Sequence, residues 1–452
     1  MYAIGPRSKS HQQFCWPVQL TALQEALSDE EIEVICSGLG HKWRNRTFPP
    51  GTTVRSVIYR SLHPDKSIWA VLTDLAATDD RLLLAPTESA WCQARSRLPE
   101  GLWPELMERT TRRVLELVAN KYQYMGRTVY LVDGSTVSMP DEPELVDAFG
   151  YANTKHGPSR FPVARTTFIT HAGAEVVYDY RIGPYRTSED AQFHDMWHRL
   201  PRCCICILDR RFCSFYNLAK LRQRRIDVVT QLHQRRDPDK LIAQGRQVGK
   251  DEWLVPLELS PQLRQRYNDA SLPQRLWVRL IRVGFRHKGK RRVIWLVTTL
   301  LDTERYSRSS ISRLYRRRWG IETRIGSLKT TLEMDVLRSK TTKGVLYEVA
   351  GRVLGHNLIW TVIHQAAVET DTPAARISFA GAIKTVLAFS AALRTAKGIK
   401  RIILYRRMLC NIACHRNPYR PGRTEPRLVK RDKRRYAFLK VPRKIAREMA
   451  LS

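Results

Sequence analysis

Three acids in this 452-residue chain stand in contexts where they could do chemistry. Asp133 ends the apolar run of YLVDGST, and Asp209 ends that of CICILDRRF. Glu322 sits inside YRRRWGIETRIGSLK, residues 315–329, a helix-forming stretch with five cations and this single carboxylate. A carboxylate at the end of a buried strand is held rigidly at the rim of a sheet. Taken alone, each acid reads as a helix cap or an ion-pair partner. Two on neighbouring strand ends, met by a third from a helix, would repel one another. Oxygen-preferring divalent cations, Mg²⁺ or Mn²⁺, relieve such repulsion. Two such ions roughly 4 Å apart can activate a water or a 3′-OH and stabilise the leaving oxygen of a phosphodiester.

The cations around Glu322 fit the same chemistry. A helix turns about 100° per residue, which puts Tyr315, Arg318, Glu322 and Lys329 on one stripe about 60° wide, with Trp319 at its edge. Glu322 can then face the two aspartates. Arg318 and Lys329 flank it at rises of about 6 and about 10 Å, placed for phosphates on either side. The plainer reading is an exposed helix with i,i+4 ion pairs. That accounts for Arg318 with Glu322 but not for the shortage of acids.

The elements that must position these residues follow from periodicity. Residues 17 to 124 are helical in pattern: TALQEALSDEEIEVICSGL and SVIYRSLHPDKSIWAVLTDLA carry apolar residues at three- and four-residue intervals, with Pro64 as a break. Thr87 is the expected N-cap of PTESAWCQARSRL. Gln93, Arg95 and Arg97 on that helix suit a recognition helix entering a DNA groove, or equally a solvated basic face. From Arg127 the texture changes. RTVYLVDGS is a strand, ARTTFITHAGAEVVYDYRI a hairpin turning at Ala172-Gly173, SEDAQFHDMWHRL a helix, CCICILDRRF a strand, SFYNLAKLRQR a helix and IDVVTQL a strand. The order β-β-β-α-β-α-β predicts an α/β fold with an RNase H-like mixed-sheet core.

Residues 234–291 are charged, carry four prolines and contain the alternating run RLWVRLIRVGF. They read as a β-rich insertion; Trp253, Trp277 and Phe285 argue against a disordered linker. The expected organisation is a helical N-terminal DNA-binding domain (1–124), the first part of the core (125–233), the insertion (234–291), the second part with the Glu322 helix (292–370) and a basic C-terminal region (371–452). Within that last region, residues 416–447 hold thirteen Lys and Arg against two acids. This is a nucleic-acid arm or a solubilising tail.

Bulk charge points the same way. The chain carries 77 Lys and Arg against 43 Asp and Glu, a net charge of +34. A compact protein so basic repels itself unless a polyanion neutralises it. Nucleic acid is the expected partner, bound with a steep salt dependence. An anionic membrane fits less well, because the cations spread along the whole chain. No run of apolar residues is long enough to span a bilayer. The N-terminus lacks an apolar signal core, which places the protein in the cytoplasm. Nine cysteines suit reduced thiols. Cys203 and Cys206 have C-x2-C spacing but no second pair, so zinc is not expected.

With these motifs in place, the chain resembles a branch of the bacterial insertion-sequence DDE transposases, the cut-and-paste, hairpin-forming group with a Y-R-E-K signature. Tyr315, Arg318, Glu322 and Lys329 match its Tyr-x2-Arg-x3-Glu-x6-Lys pattern, and DGS at Asp133 and DRRF at Asp209 match its first two acids. SAWCQARSRL, HGPSRFPVAR and LRSKT look like further family blocks. The resemblance implies that Asp133, Asp209 and Glu322 are catalytic and hold two Mg²⁺ (or Mn²⁺) ions. It implies nicking, hairpin formation and strand transfer by a homodimer on paired ends of double-stranded DNA, in a nucleoid-associated setting. Tyr315, Arg318 and Lys329 would contact end phosphates and a flipped-out base. Trp295 or Trp319 would serve as the unstacking wedge, or simply as packing. Arg210 and Arg211, with Lys155, His156 and Arg160, would grip phosphates or face solvent. The alternatives are a metal-dependent nuclease on the same fold without strand transfer, and a DNA-binding relic that no longer cuts.

Overall fold

The computed structural model describes residues 27–44, 47–77, 87–118, 122–154, 157–287, 290–418, 441 and 443–451. Among the described residues, five helices come first: α1 (Asp29–Gly38), α2 (Pro50–Leu62), α3 (Ile68–Ala76), α4 (Glu88–Arg97) and α5 (Leu102–Leu117). Ser28, Ser67 and Thr87 cap α1, α3 and α4, each accepting a hydrogen bond from the amide three residues on. The break at Pro64 falls between α2 and α3 as expected. The first part of the expected helical pattern, residues 17–26, lies outside the described residues.

The sheet is built from β1 (Gln123–Tyr124), β2 (Arg127–Ser138), β3 (Tyr151–Thr154), β4 (Gly157–His171), β5 (Val177–Pro184), β6 (Ile205–Leu208), β7 (Asp227–Gln231), β8 (Arg246–Gly249), β9 (Glu252–Glu258), β10 (Arg275–His287) and β11 (Lys290–Thr298). Its order is β3-β4-β2-β6-β7-β11-β10-β9-β8, with β1 on β2 and β5 on β4. β5, β4 and β2 are antiparallel, while β6 and β7 run parallel to β2. Between these strands lie α6 (Pro143–Phe149), α7 (Glu189–His194) and α8 (Phe215–Gln223). This is the RNase H-like order read from the sequence. The hairpin turn falls where expected, Gly173 taking φ 109°.

Residues after β7 extend this sheet. With α9 (Pro238–Ala243) and α10 (Pro261–Tyr267) around them, β8 to β11 form an antiparallel run joined to the core where Leu296 faces Gln231. Pro256 lies on β9 beyond the stretch that pairs with β8, where no ladder donor is needed. The buried Arg279 on β10 donates to Glu252 and, at 2.6 Å, to the carbonyl of Tyr306, tying the extension to the entry of the next helix.

Strand alternation divides two cores. Val129 and Leu131 of β2, Ile205 and Ile207 of β6, and Val229 of β7 pack on one face of the sheet. Tyr130 and Val132, Cys206 and Leu208, and Val228 pack on the other, with α7 and α8. Cys204 and Cys206 are buried as small hydrophobes. The first face carries α11 (Arg308–Arg316), α12 (Trp319–Gly326) and α13 (Thr342–Glu369), together with the N-terminal helices. Burial of each large aliphatic side chain here contributes about 1.5–3 kcal/mol. Beyond α13 come α14 (Phe379–Thr395), α15 (Gly398–Cys414) and α16 (Arg443–Leu451). Most of the expected basic arm, residues 419–440, lies outside the described residues. Among the described residues, no helix is long and apolar enough to cross a membrane.

The signature stretch is not the single straight helix that its periodicity predicts. The amides of Arg317 and Arg318 bond back only three residues, to Leu314 and Tyr315, and this tight turn separates α11 from α12. Residues Ser327–Thr331 then form a π-helical turn, with the Leu332 amide reaching Ser327. Helical angles computed for an unbroken α-helix therefore do not carry from Tyr315 to Lys329.

Candidate active site

The site begins with a register. β2 and β6 pair in parallel, Val132 beside Leu208, and the next residues are Asp133 and Asp209. Neighbouring strands lie about 4.8 Å apart, so the two backbones enter the site side by side. By alternation both aspartates leave the sheet on the face that carries α11 and α12. The apolar run of β2 ends at Asp133, where the four residues Asp133 to Thr136 are only partly buried. The Asp133 Oδ1 accepts from the Gly134 amide at 2.9 Å, which fixes its rotamer. Asp209 caps a 3₁₀ turn, Arg210–Phe212, and its carbonyl accepts from Thr230 of β7 at 3.1 Å.

Burial pushes the Asp133 carboxyl up to about 6, the Gly134 amide and Arg318 opposing the rise and the Asp209 and Glu189 charges adding to it. Burial is the main cause of the rise, with the neighbouring carboxylates adding to it. Arg318 Nη1 stands 3.9 Å from Asp209 Oδ1 and is largely buried. Tyr315 is buried beside it, its hydroxyl pushed up to about 12 by that burial.

α12 packs on β2 through the buried Ile321 and Ile325. Glu322, between them, thus rides on a helix seated against the strand of Asp133. The helix is anchored downstream as well. The Ser138 amide donates to the Asp335 carbonyl at 2.9 Å, and the Leu337 amide to Ser138 at 2.8 Å. The side chains of Glu322 and Trp319 lie outside the described residues. Lys329 is half-buried in the π turn, and Arg210 and Arg211 are exposed immediately after Asp209. Trp295 packs on Trp253, ring centroids 5.7 Å apart, on the face of the sheet opposite Asp133 and Asp209. Arg160 is half-buried, while Lys155 and His156 lie outside the described residues. Among the described residues, no three His, Cys, Asp or Glu side chains gather as metal ligands.

Two residues near the site escaped sequence reasoning. Glu189, at the start of α7, lies against Gly134, and Arg165 on β4 is 3.2 Å from its carboxylate.

Residues 124–358 match the family described as the transposase DDE domain. The chain belongs to this family. Transposase InsG for insertion sequence element IS4 of Escherichia coli (strain K12) is 25% identical over 350 residues, spanning 75% of this chain and 76% of that protein. The putative transposase InsZ of the same organism is 29% identical over 193 residues, 39% of this chain and 62% of that protein. Among solved structures, the piggyBac transposase synaptic complex with hairpin DNA aligns over 90% of this chain and 87% of that chain, at TM-score 0.44 and 12% identity. The DDE transposase described here is thus a DNA-cleaving enzyme of insertion-sequence type, and domains of this kind use divalent metal ions.

Proposed function

We propose that this transposase excises and inserts an insertion sequence with Asp133, Asp209 and Glu322 as its catalytic carboxylates, holding two Mg²⁺ (or Mn²⁺) ions. The observation that carries the reading is the parallel register of Asp133 beside Asp209, on the face where the Glu322 helix packs on β2. The donor set fits hard cations: oxygen ligands, with Asp133 buried enough to hold its proton up to about 6 and Asp209 and Glu189 adding to that rise. When bound, such ions would activate the attacking oxygen and stabilise the leaving one. The chain's own residues do the rest. Arg318 restrains Asp209 and offers a cation to a phosphate. Lys329, Arg210 and Arg211 line the approach of the DNA backbone, with Tyr315 buried behind them beside Arg318. Trp319 is the residue left to unstack the base that a tight hairpin requires, because Trp295 packs on Trp253 on the opposite face of the sheet.

We place residues 1–124 as the DNA-binding domain, 125–233 and 292–370 as the catalytic core, 234–291 as the insertion and 371–452 as the basic C-terminal region. The active assembly in this reading is a homodimer on paired transposon ends, acting in the cytoplasm at the nucleoid. The test is incubation of protein, Mg²⁺ and a cognate end, scored for nicks, hairpins and joined products. All three are expected. Glu322→Gln should abolish cleavage and leave DNA binding intact. Nicks that never mature to hairpins or joined products would identify a nuclease instead. Cleavage by the Glu322→Gln variant would remove this acid from the site.

A further inference from the structure

α7 is only six residues long, yet its side chains reach both turns that carry the aspartates. A Cβ built on Gly134 would lie 2.1 Å from the carboxyl carbon of Glu189, so the Glu189 side chain occupies the space that glycine leaves. Gly134 in turn donates the amide hydrogen bond that orients Asp133. The Glu189 carboxylate is held by Arg165 at 3.2 Å and stands 3.9 Å from Arg211, two residues past Asp209. Next along the helix, Asp190 accepts from the buried Asn217 amide at 2.6 Å, and the same amide donates to the carbonyl of Phe212 at 3.0 Å. Gln192 fastens the helix to β4, accepting from the Thr167 hydroxyl at 2.8 Å and donating to the Arg165 carbonyl at 3.0 Å.

We infer that Glu189 is a positioning residue that holds the Asp133–Gly134 turn and the Asp209–Arg211 turn in mutual register, with Asp190 securing the second turn through Asn217. The inference rests on the proposed carboxylate site and extends it to residues that do not ligate metal. Glu189 is paired with arginine, and it joins no ligand cluster among the described residues. Groups that orient metal-binding side chains typically change metal affinity by about 10–100-fold when removed.

The test compares Glu189→Gln, Gly134→Ala, the double variant Gly134→Ala/Glu189→Ala, and Asp209→Asn. Mn²⁺ binding is read by electron paramagnetic resonance, together with the Mg²⁺ dependence of nicking, end-DNA binding and Tm. Glu189→Gln is expected to keep the wild-type number of bound ions, the Tm and DNA affinity, while Mn²⁺ binding weakens and half-saturating Mg²⁺ rises by about tenfold or more. Gly134→Ala should show a stronger defect, partly rescued in the double variant because the colliding carboxylate is gone. Wild-type ion affinity in Glu189→Gln would overturn the inference. So would loss of a whole ion, which would make Glu189 a ligand. Should Asp209→Asn bind ions and nick normally, the underlying carboxylate site fails instead.

Discussion

The two halves of the site are built differently. Asp133 and Asp209 come from adjacent parallel strands, locked by ladder bonds on both sides and by cores on both faces. The signature residues come from a segment that changes helical type twice, by a tight turn at Arg317–Arg318 and a π turn at Ser327–Thr331. It is anchored at its entry through Tyr306 and Ser310, and at its exit through Ser138. Strands supply fixed positions. A helix with two irregular joints carries Glu322 and the cations of the proposed site, and π turns are frequent at functional sites.

Substitutions can break this contrast, starting with the largest effect. Asp209→Asn removes a charge from the fixed half and should cost on the order of 10³-fold or more in nicking rate, with DNA binding retained. Gel-based single-turnover assays measure it, and activity near wild type would contradict it. Arg318→Ala in the helical half should cost about 10²-fold in the same assay. An equal loss in end-DNA affinity would instead mark Arg318 as a binding residue alone.

The Asp133 carboxyl gives a pH signature. Its proton is released near 3.8 in an unfolded chain and near about 6 in the fold. Ionising it therefore costs stability: the cost is absent below pH 3.8, grows through about 6 and is complete above. Without divalent ions, Asp133→Asn should be more stable than wild type at pH 8 by about 3 kcal/mol, and the gain should vanish at pH 3.5. Thermal melts at the two pH values measure it; a gain that persists at low pH would mean another cause. The smallest effect belongs to Lys329→Ala. It should weaken DNA binding evenly across sequences and lower the slope of log K against log salt by about one.

Much of this was legible in the sequence because the signals are local. The apolar runs ending at Asp133 and Asp209, the cap at Thr87 and the break at Pro64 need only neighbouring residues to read. The joints in the signature segment were not legible. Nothing in YRRRWGIETRIGSLK breaks helical periodicity; Tyr315, Ile321 and Leu328, on three successive helical pieces, are all buried in one core, a non-local demand. Glu189 was missed for a similar reason. Its meaning lies in a contact with Gly134, 55 residues earlier in the chain, which no local pattern encodes. The run RRVIWLVTTLL was visible as a strand, but its pairing with β7 is non-local.

The claim on which the account stands is that Asp133, Asp209 and Glu322 share divalent ions. Anomalous diffraction from Mn²⁺-soaked crystals of the protein with end DNA tests it directly. The account predicts two manganese peaks bridged by these three carboxylates. Peaks at other residues, or ions held by the two aspartates with Glu322 out of reach, would contradict it.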